Sequence, residues 1–246
     1  MKRKIKLSKC IKFFIIIIAV IFCIDILKNS FLSNIAVDGI NFITNIENRI
    51  GLTDDKSTFN KNQDDDLVLV NKDNPLTSDY KPKNLVKPNI IFLDSSIEEE
   101  RYMKQEAATS LEELFQNAKQ NNITLIGSSA YRSYQTQANI YNKYYKEKGQ
   151  EYTKQYVATP GESEHQTGLA IDVTNPSRCF DKTSIEAQWL ANNVYKYGFI
   201  LCYPENKEDI TGYSYEPWHI RYIGKDIAEK IYMNSETLEE YLKHDN

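Results

Sequence analysis

The chain has 246 residues, of which 41% are hydrophobic and 12% aromatic, enough for one folded domain of ordinary size with attachments. Its formal net charge is −4, and no basic block occurs outside the extreme N-terminus. This distribution argues against nucleic acid as a partner.

The first 28 residues carry a targeting pattern. A cluster of lysines and one arginine precedes the apolar run Phe13 to Ile24, as in secretory signals and signal anchors. The run is short for a full span, which needs roughly 20 apolar residues. However, no small-residue cleavage site follows it, and we prefer an uncleaved anchor with its cationic flank in the cytoplasm. We therefore predict a single-pass protein of the cell membrane, with its C-terminal bulk extracellular.

Within residues 29–66, the segment Ile40 to Ile50 has some amphipathic spacing, and after Gly51 the composition turns polar. Such a composition cannot bury enough apolar surface to offset the entropy of ordering, so we predict a stalk or linker. The folded domain is predicted over residues 67–246. It opens with a strand at Leu67 to Val70 and a proline-punctuated arm over residues 71–88.

Helical and strand patterns then mix without regular alternation. We predict helices from Ser95 or Ser96 to Asn121, from about 134 to Lys148, over 151–157, from Thr183 or Ser184 to Tyr197, and from Lys225 to Lys243. Strands are predicted at 123–128, 169–173 and 199–203, with a further segment at 215–222. This mixture predicts an α+β fold, with helices packed on a small, mainly antiparallel sheet.

Two segments, 163–172 and 216–222, combine scarce histidines with carboxylates. His165, Asp172 and His219 have ligand types that suit a catalytic zinc site, which takes three protein ligands and one water. Glu216 precedes His219 by three positions and is a candidate to handle the proton of that water. The alternative for each histidine is a surface pair with a nearby carboxylate.

Together these motifs resemble a known family. Ser-x-His-x-x-Gly-x-Ala-x-Asp followed by Glu-x-Trp-His-x-Arg-Tyr is similar to the signature of the VanY-type zinc D-alanyl-D-alanine carboxypeptidases, which trim peptidoglycan stem peptides. Residues 131–137, Tyr-Arg-Ser-Tyr-Gln-Thr-Gln, resemble a third block of that family. The likeness runs from about Leu67 to about Gly224, with the blocks in the right order.

The resemblance implies that Zn²⁺ is the cofactor and assigns further roles. Arg132 would stabilise the oxyanion, Glu216 would be general base and acid, and Ser163 and Gln137 would face the substrate. Arg132 could instead bridge surface carboxylates.

Two local features complicate these roles. Strand alternation would separate Glu216 from His219 unless Pro217 marks a break before the strand. Glu164 is expected to point to solvent, and Trp218 suits either the core or a substrate wall.

We predict a hydrolase that removes the C-terminal D-alanine from peptidoglycan stem peptides or their precursors. One alternative is an L,D-carboxypeptidase acting on the tetrapeptide stem, because both reactions need the same chemistry. The other is a non-catalytic, zinc-containing module that binds the cell wall. Glu216 argues against that module, because a domain without turnover needs no acid beside the third ligand.

Overall fold

The structure, a computed structural model, describes residues 67–244. Its strands are β1 (Leu85–Val86), β2 (Met103–Lys104), β3 (Ile126–Ser129), β4 (Ala170–Thr174), β5 (Phe199–Leu201) and β6 (His219–Tyr222). Its α-helices are α1 (Gln105–Gln120), α2 (Tyr134–Lys148), α3 (Gln150–Tyr156), α4 (Ile185–Asn193), α5 (Glu208–Thr211), α6 (Lys225–Asn234) and α7 (Leu238–His244). The 3₁₀ helices are Glu99–Arg101, Glu164–Thr167 and Val194–Tyr197. The predicted mixture of helices with small antiparallel sheets is confirmed.

The central sheet has the strand order β3-β4-β6-β5, and every neighbouring pair is antiparallel. In this register Asp172 on β4 lies opposite His219 on β6, and it also lies opposite Ser129 on β3. Three chain segments that are far apart in sequence therefore meet at one end of the sheet. The short strands β1 and β2 form a separate antiparallel pair.

Helix α1 supplies much of the core that supports this sheet. Its buried positions include Ala107, Leu111, Leu114 and Ala118, which recur at the three- and four-residue spacing of one helix face. They pack with Ile171 of β4 and other buried apolar residues. Helix α2 begins where the Ser133 side chain accepts a hydrogen bond from the Thr136 backbone N–H at 3.3 Å, as an N-cap does.

Several predicted elements and boundaries differ from those in the structure. The segment at 67–70 is not a strand, although Val68 and Val70 are buried. The long helix begins at Gln105 rather than near Ser96, because the Ser96 hydroxyl donates to the Ser128 carbonyl at 2.5 Å and caps no helix. The C-terminal helix is divided into α6 and α7 at Ser235, whose φ of 56° cannot continue a right-handed helix.

The predicted membrane localisation needs correction. Among residues 67–244, no helix is long and apolar enough to cross a membrane. The longest, α1, has 16 residues, whereas a span needs roughly 20 apolar ones, and its outer face is polar. The predicted signal anchor at 1–28 and the linker at 29–66 lie outside the described residues.

Candidate metal centre and cleft

Three side chains converge at the end of the central sheet. His165 lies in the 3₁₀ helix Glu164–Thr167, Asp172 lies on β4, and His219 is the first residue of β6. Their ligand atoms lie within 4.8 Å of one another. Asp172 is at the centre: its Oδ1 is 3.0 Å from His219 Nδ1, and its Oδ2 is 3.4 Å from His165 Nε2. The structure therefore brings together all three residues that the sequence singled out as ligands.

Backbone geometry places each member of this group. The β4–β6 register sets Asp172 beside His219. His165 reaches them because Gly168 ends its 3₁₀ helix with a φ of +71° and turns the chain into β4. A Cβ at Gly168 would lie 2.8 Å from Leu85 Cδ2, so both the turn and the close packing require glycine.

Each imidazole ring is oriented by a hydrogen bond to the ring nitrogen that faces away from Asp172. His165 Nδ1 lies 2.7 Å from the Ala130 carbonyl oxygen, and it must carry the proton because a carbonyl can only accept. His219 Nε2 lies 2.9 Å from Glu164 Oε2. His165 Nε2 and His219 Nδ1 are thereby directed at Asp172. Histidines that bind a metal are held in this way by acceptors behind the ring, so the residues present fit a divalent cation.

Glu164 is buried, with 5% of its surface exposed, and the expectation that it faces solvent is wrong. Its Oε1 accepts from Arg221 Nη1 at 2.9 Å, and Arg221 Nη2 donates to the Val68 carbonyl at 2.7 Å. Burial opposes ionisation of Glu164, but Arg221 and His219 lower its pKa to about 2. The carboxylate therefore stays charged behind His219.

Sequence reasoning included Arg221 in the motif of residues 216–222 but gave it no role, although a signal was present. Arg221 follows His219 by two positions on β6, so both side chains leave the same face of the strand. Arg221 is fully buried, and a buried arginine needs a charged partner. A strand arginine two residues beyond a candidate ligand could have indicated a buried carboxylate beside that ligand.

Charge and burial set the protonation states of the ligand group. Burial lowers the pKa of His165. Burial opposes ionisation of Asp172 as well, yet His165, His219 and Arg132 hold the pKa of this carboxyl well below its usual range. Asp172 is therefore ionised, as a metal-binding carboxylate must be.

A second cluster of ligand types, Glu164, Cys202 and His219, shares one histidine with the first. All three are buried, and neither Glu164 nor Cys202 lines the cleft. The Glu164 carboxylate is already engaged by Arg221. Because a catalytic metal needs a position open to substrate, the group around Asp172 is the better candidate. Cys202 and the exposed Cys179 are both free thiols.

Glu216 lies beside this group in a tight turn. The His219 N–H donates to the Glu216 carbonyl at 3.3 Å, and β6 begins only at His219. Pro217 thus falls before the regular strand, which removes the conflict with strand alternation. Glu216 is 7% exposed, and burial raises the pKa of its carboxyl to about 7. A carboxyl with that pKa can both accept and release a proton near neutral pH.

Arg132 bridges carboxylates, but inside the cleft rather than on the open surface. Its Nη2 donates to Asp172 Oδ2 at 2.9 Å, and its Nε donates to Ser129 Oγ at 2.7 Å and Glu100 Oε1 at 3.3 Å. The side chain is 15% exposed. These contacts fix a guanidinium beside the candidate metal centre, where it can stabilise negative charge.

A cleft of about 560 Å³ opens over this group and contains the remaining predicted site residues. Ser163 and Gln137 both line it and are almost fully buried. Gln137 Nε2 donates to the Ala158 carbonyl at 2.8 Å. Trp218 serves both of its expected roles, because it lines the cleft and packs against the core.

The chain is similar to several known proteins. The sequence profile of the family VanY, described as D-alanyl-D-alanine carboxypeptidase, matches residues 100–225. The provisionally named carboxypeptidase YodJ of Bacillus subtilis (strain 168) is 44% identical over 188 residues, which are 74% of this chain and 69% of YodJ.

Solved structures give the same relationship. The LdcB LD-carboxypeptidase is similar with a TM-score of 0.69 and 44% identity, over 74% of this chain and 88% of LdcB. A mutant of the vancomycin-resistance D,D-pentapeptidase VanY from a VanB-type resistance cassette, in complex with Zn(II), is similar with a TM-score of 0.59 and 34% identity. That match covers 72% of this chain and 98% of the other.

Proposed function

The chain belongs to the VanY family of carboxypeptidases, and we propose that it is a zinc-dependent enzyme that releases the C-terminal D-alanine from peptidoglycan stem peptides. The observation that carries this proposal is the position of Glu216. Its buried carboxyl lies in the same cleft as His165, Asp172 and His219, which is where a proton carrier has to be for metal-assisted hydrolysis.

His165 through Nε2, Asp172 through its carboxylate and His219 through Nδ1 would hold the zinc. These atoms already face one another. The opposite ring nitrogens are hydrogen-bonded, His165 Nδ1 to the Ala130 carbonyl and His219 Nε2 to the Glu164 carboxylate. When bound, zinc supplies Lewis-acid chemistry, which polarises the scissile carbonyl and lowers the pKa of a water in its open position to about 7.

Residues of the chain transfer the proton, stabilise the developing charge and position the substrate. The Glu216 carboxylate takes a proton from the attacking water and then gives it to the departing amine nitrogen. Arg132 holds the charge that develops on the carbonyl oxygen, with a guanidinium already fixed by Ser129 and Glu100. Ser163 and Gln137, in the same cleft, position the terminal residue of the substrate.

The length of the stem peptide distinguishes two candidate reactions. D,D-cleavage of a pentapeptide is our first assignment, in agreement with the description of the family. L,D-cleavage of a tetrapeptide is the second, and it is supported by the higher identity to LdcB, 44% compared with 34% for the VanY D,D-pentapeptidase. A non-catalytic wall-binding module is disfavoured because such a module would not need Glu216.

Muropeptide trimming tests this proposal directly. Incubation of the purified protein and zinc with purified penta- and tetrapeptide muropeptides should release D-alanine, detected by mass analysis as loss of one residue. Loss from the pentapeptide alone supports D,D-specificity, and loss from the tetrapeptide alone supports the L,D candidate. Intact stems after incubation with zinc-loaded protein would contradict the enzymatic assignment.

A second experiment concerns Glu164. Glu164→Gln should weaken zinc binding about 10- to 100-fold, the usual effect of removing an acceptor behind a ligating histidine. The reason is that the neutral amide no longer holds His219 Nε2–H with a full charge. Chelator competition measures the affinity, and Glu162→Gln, two positions away but outside the Arg221 pair, is the control.

Folding has to be checked in the same experiment, because Glu164→Gln removes the negative charge that pairs with the buried Arg221 guanidinium. Circular dichroism and thermal melting in excess chelator separate loss of fold from loss of metal. Wild-type zinc affinity in a folded Glu164→Gln protein would remove Glu164 from the metal centre.

A further inference from the structure

Helices α2 and α3 form a hairpin that is unusually rich in tyrosine. Six of the 17 tyrosines of the chain fall between positions 134 and 156: Tyr134, Tyr141, Tyr144, Tyr145, Tyr152 and Tyr156. The proposed hydrolysis uses none of them. An aromatic surface on short, exposed helices therefore needs another explanation than catalysis.

Three of these tyrosines line the cleft that holds the candidate metal centre: Tyr144, Tyr152 and Tyr156. The rings of Tyr144 and Tyr152 lie 6.3 Å apart and 5° from parallel, and those of Tyr152 and Tyr156 lie 4.8 Å apart. Tyr152 is 41% exposed and Tyr156 is 37% exposed. They form a continuous row of rings along one wall, which we call the tyrosine wall.

The charge around the tyrosine wall restricts its ligand. The hairpin carries more exposed lysines (Lys143, Lys146, Lys148 and Lys154) than exposed glutamates (Glu147 and Glu151). Tyrosine faces can attract cations, but this excess of positive charge opposes a cationic ligand. A cation is therefore disfavoured, and the exposed ring faces suit a ring that can lie flat on tyrosine.

A pyranose has this chemistry, because it presents a face of C–H bonds with partial positive charge, whereas the face of a tyrosine ring is negative. The wall lines the same cleft as His165 and Asp172. A stem peptide with its scissile bond at the metal centre extends by about 3.3–3.6 Å per residue. A few residues would bring the sugar at its other end to a wall of the same cleft.

We propose that the tyrosine wall is a subsite for the N-acetylated sugar to which the stem peptide is attached. This inference rests on the proposed function, and it adds a substrate class: sugar-linked stem peptides in preference to free peptides. Tyr152 and Tyr156, the more exposed members, contribute ring faces, and Tyr144 stacks on Tyr152. The enzyme would thereby distinguish wall fragments from peptides that lack the sugar.

The test compares two substrates that differ only in the sugar. For a disaccharide–peptide and the identical free peptide, the ratio of kcat/KM should favour the sugar-linked form. Tyr152→Ala and Tyr156→Ala should each lower this ratio about two- to tenfold, the usual range for one aromatic contact, mainly by raising KM for the sugar-linked form. Tyr152→Phe should retain the ratio, because the ring face is kept.

Tyr145→Ala is the matched control. Tyr145 is on the same hairpin and is 46% exposed, but it stacks on Tyr141 and does not line the cleft. Its removal should leave the ratio at the wild-type value. An equal loss on both substrates in the Tyr152 and Tyr156 variants would mean that the wall binds peptide, and an unchanged ratio would mean that it binds neither. Either result overturns the proposal.

A binding measurement separates this inference from the proposed function. Calorimetry with the trimmed disaccharide–peptide requires no turnover, and the Tyr152 and Tyr156 variants should bind it more weakly than wild type. If binding follows the tyrosines while no substrate is hydrolysed, the enzymatic assignment fails and the sugar subsite stands. Binding that requires a uridine-linked precursor would place a nucleotide on the wall and overturn the sugar assignment.

Discussion

Glu216→Gln should lower kcat by about 10²- to 10⁴-fold, the usual contribution of general acid–base assistance, while zinc content stays at the wild-type value. Glutamine keeps the size and most of the hydrogen-bonding shape of the side chain but lacks its basic oxygen. Because Glu216 lies beside the three candidate ligands without being one of them, its replacement should affect proton transfer and not metal retention. Steady-state kinetics and metal analysis on the same preparation measure both quantities.

The appropriate control is Glu208→Gln, which makes the same chemical change at an exposed position outside the cleft. It should retain wild-type turnover. A Glu216→Gln enzyme that also works at the wild-type rate would remove Glu216 from the mechanism. Loss of zinc from Glu216→Gln, with zinc retained in an Asp172 variant, would show that the two carboxylates have exchanged roles.

Removal of two histidines should abolish metal binding. We expect purified wild-type protein to contain about one zinc per chain, as three ligands and one open position require. The double variant His165→Ala/His219→Ala should contain almost none and should have no measurable activity. The reason is that one carboxylate, Asp172, then remains from the set of three. Metal analysis after gel filtration gives the content directly.

His244→Ala is a suitable control for this experiment, because His244 is exposed in α7 and does not line the cleft. Asp172→Asn complements it: the amide keeps the shape of the side chain but loses the charge that zinc requires, so both metal and rate should fall. Stoichiometric zinc in the folded double variant would rule out this ligand assignment.

The sequence by itself determined the α+β class, the family and the residues to examine. These inferences depend on local information: the spacing of apolar residues in α1, the Ser184 cap of α4, and motifs in which residue type and spacing are both constrained. His165 and His219 stood out because histidine is scarce and each has a carboxylate nearby in the sequence. Asp172 stood out because it follows His165 by seven positions. Apolar spacing, helix caps and motifs can each be recognised within one segment, without knowing which other segments pack against it.

The tertiary structure alone decided what lies behind and around those residues. Glu164 looked like a solvent-facing neighbour of His165, but it is buried because β6 brings Arg221 and His219 to it from more than 50 positions away. The same holds for Arg132, which lies in the cleft because it pairs with Asp172 of β4, 40 positions away.

The predicted boundaries of some helices and strands were wrong for a related reason. Serine is a residue type typical of helix caps, but the Ser96 hydroxyl donates a hydrogen bond to the Ser128 carbonyl on a neighbouring segment. The helix therefore begins later. Val68 looked like a strand residue, yet its carbonyl accepts from Arg221 rather than from a strand partner. Local propensity predicts what a segment can form. The hydrogen-bond partners that decide the outcome are supplied by segments distant in sequence, and only the folded chain brings them together.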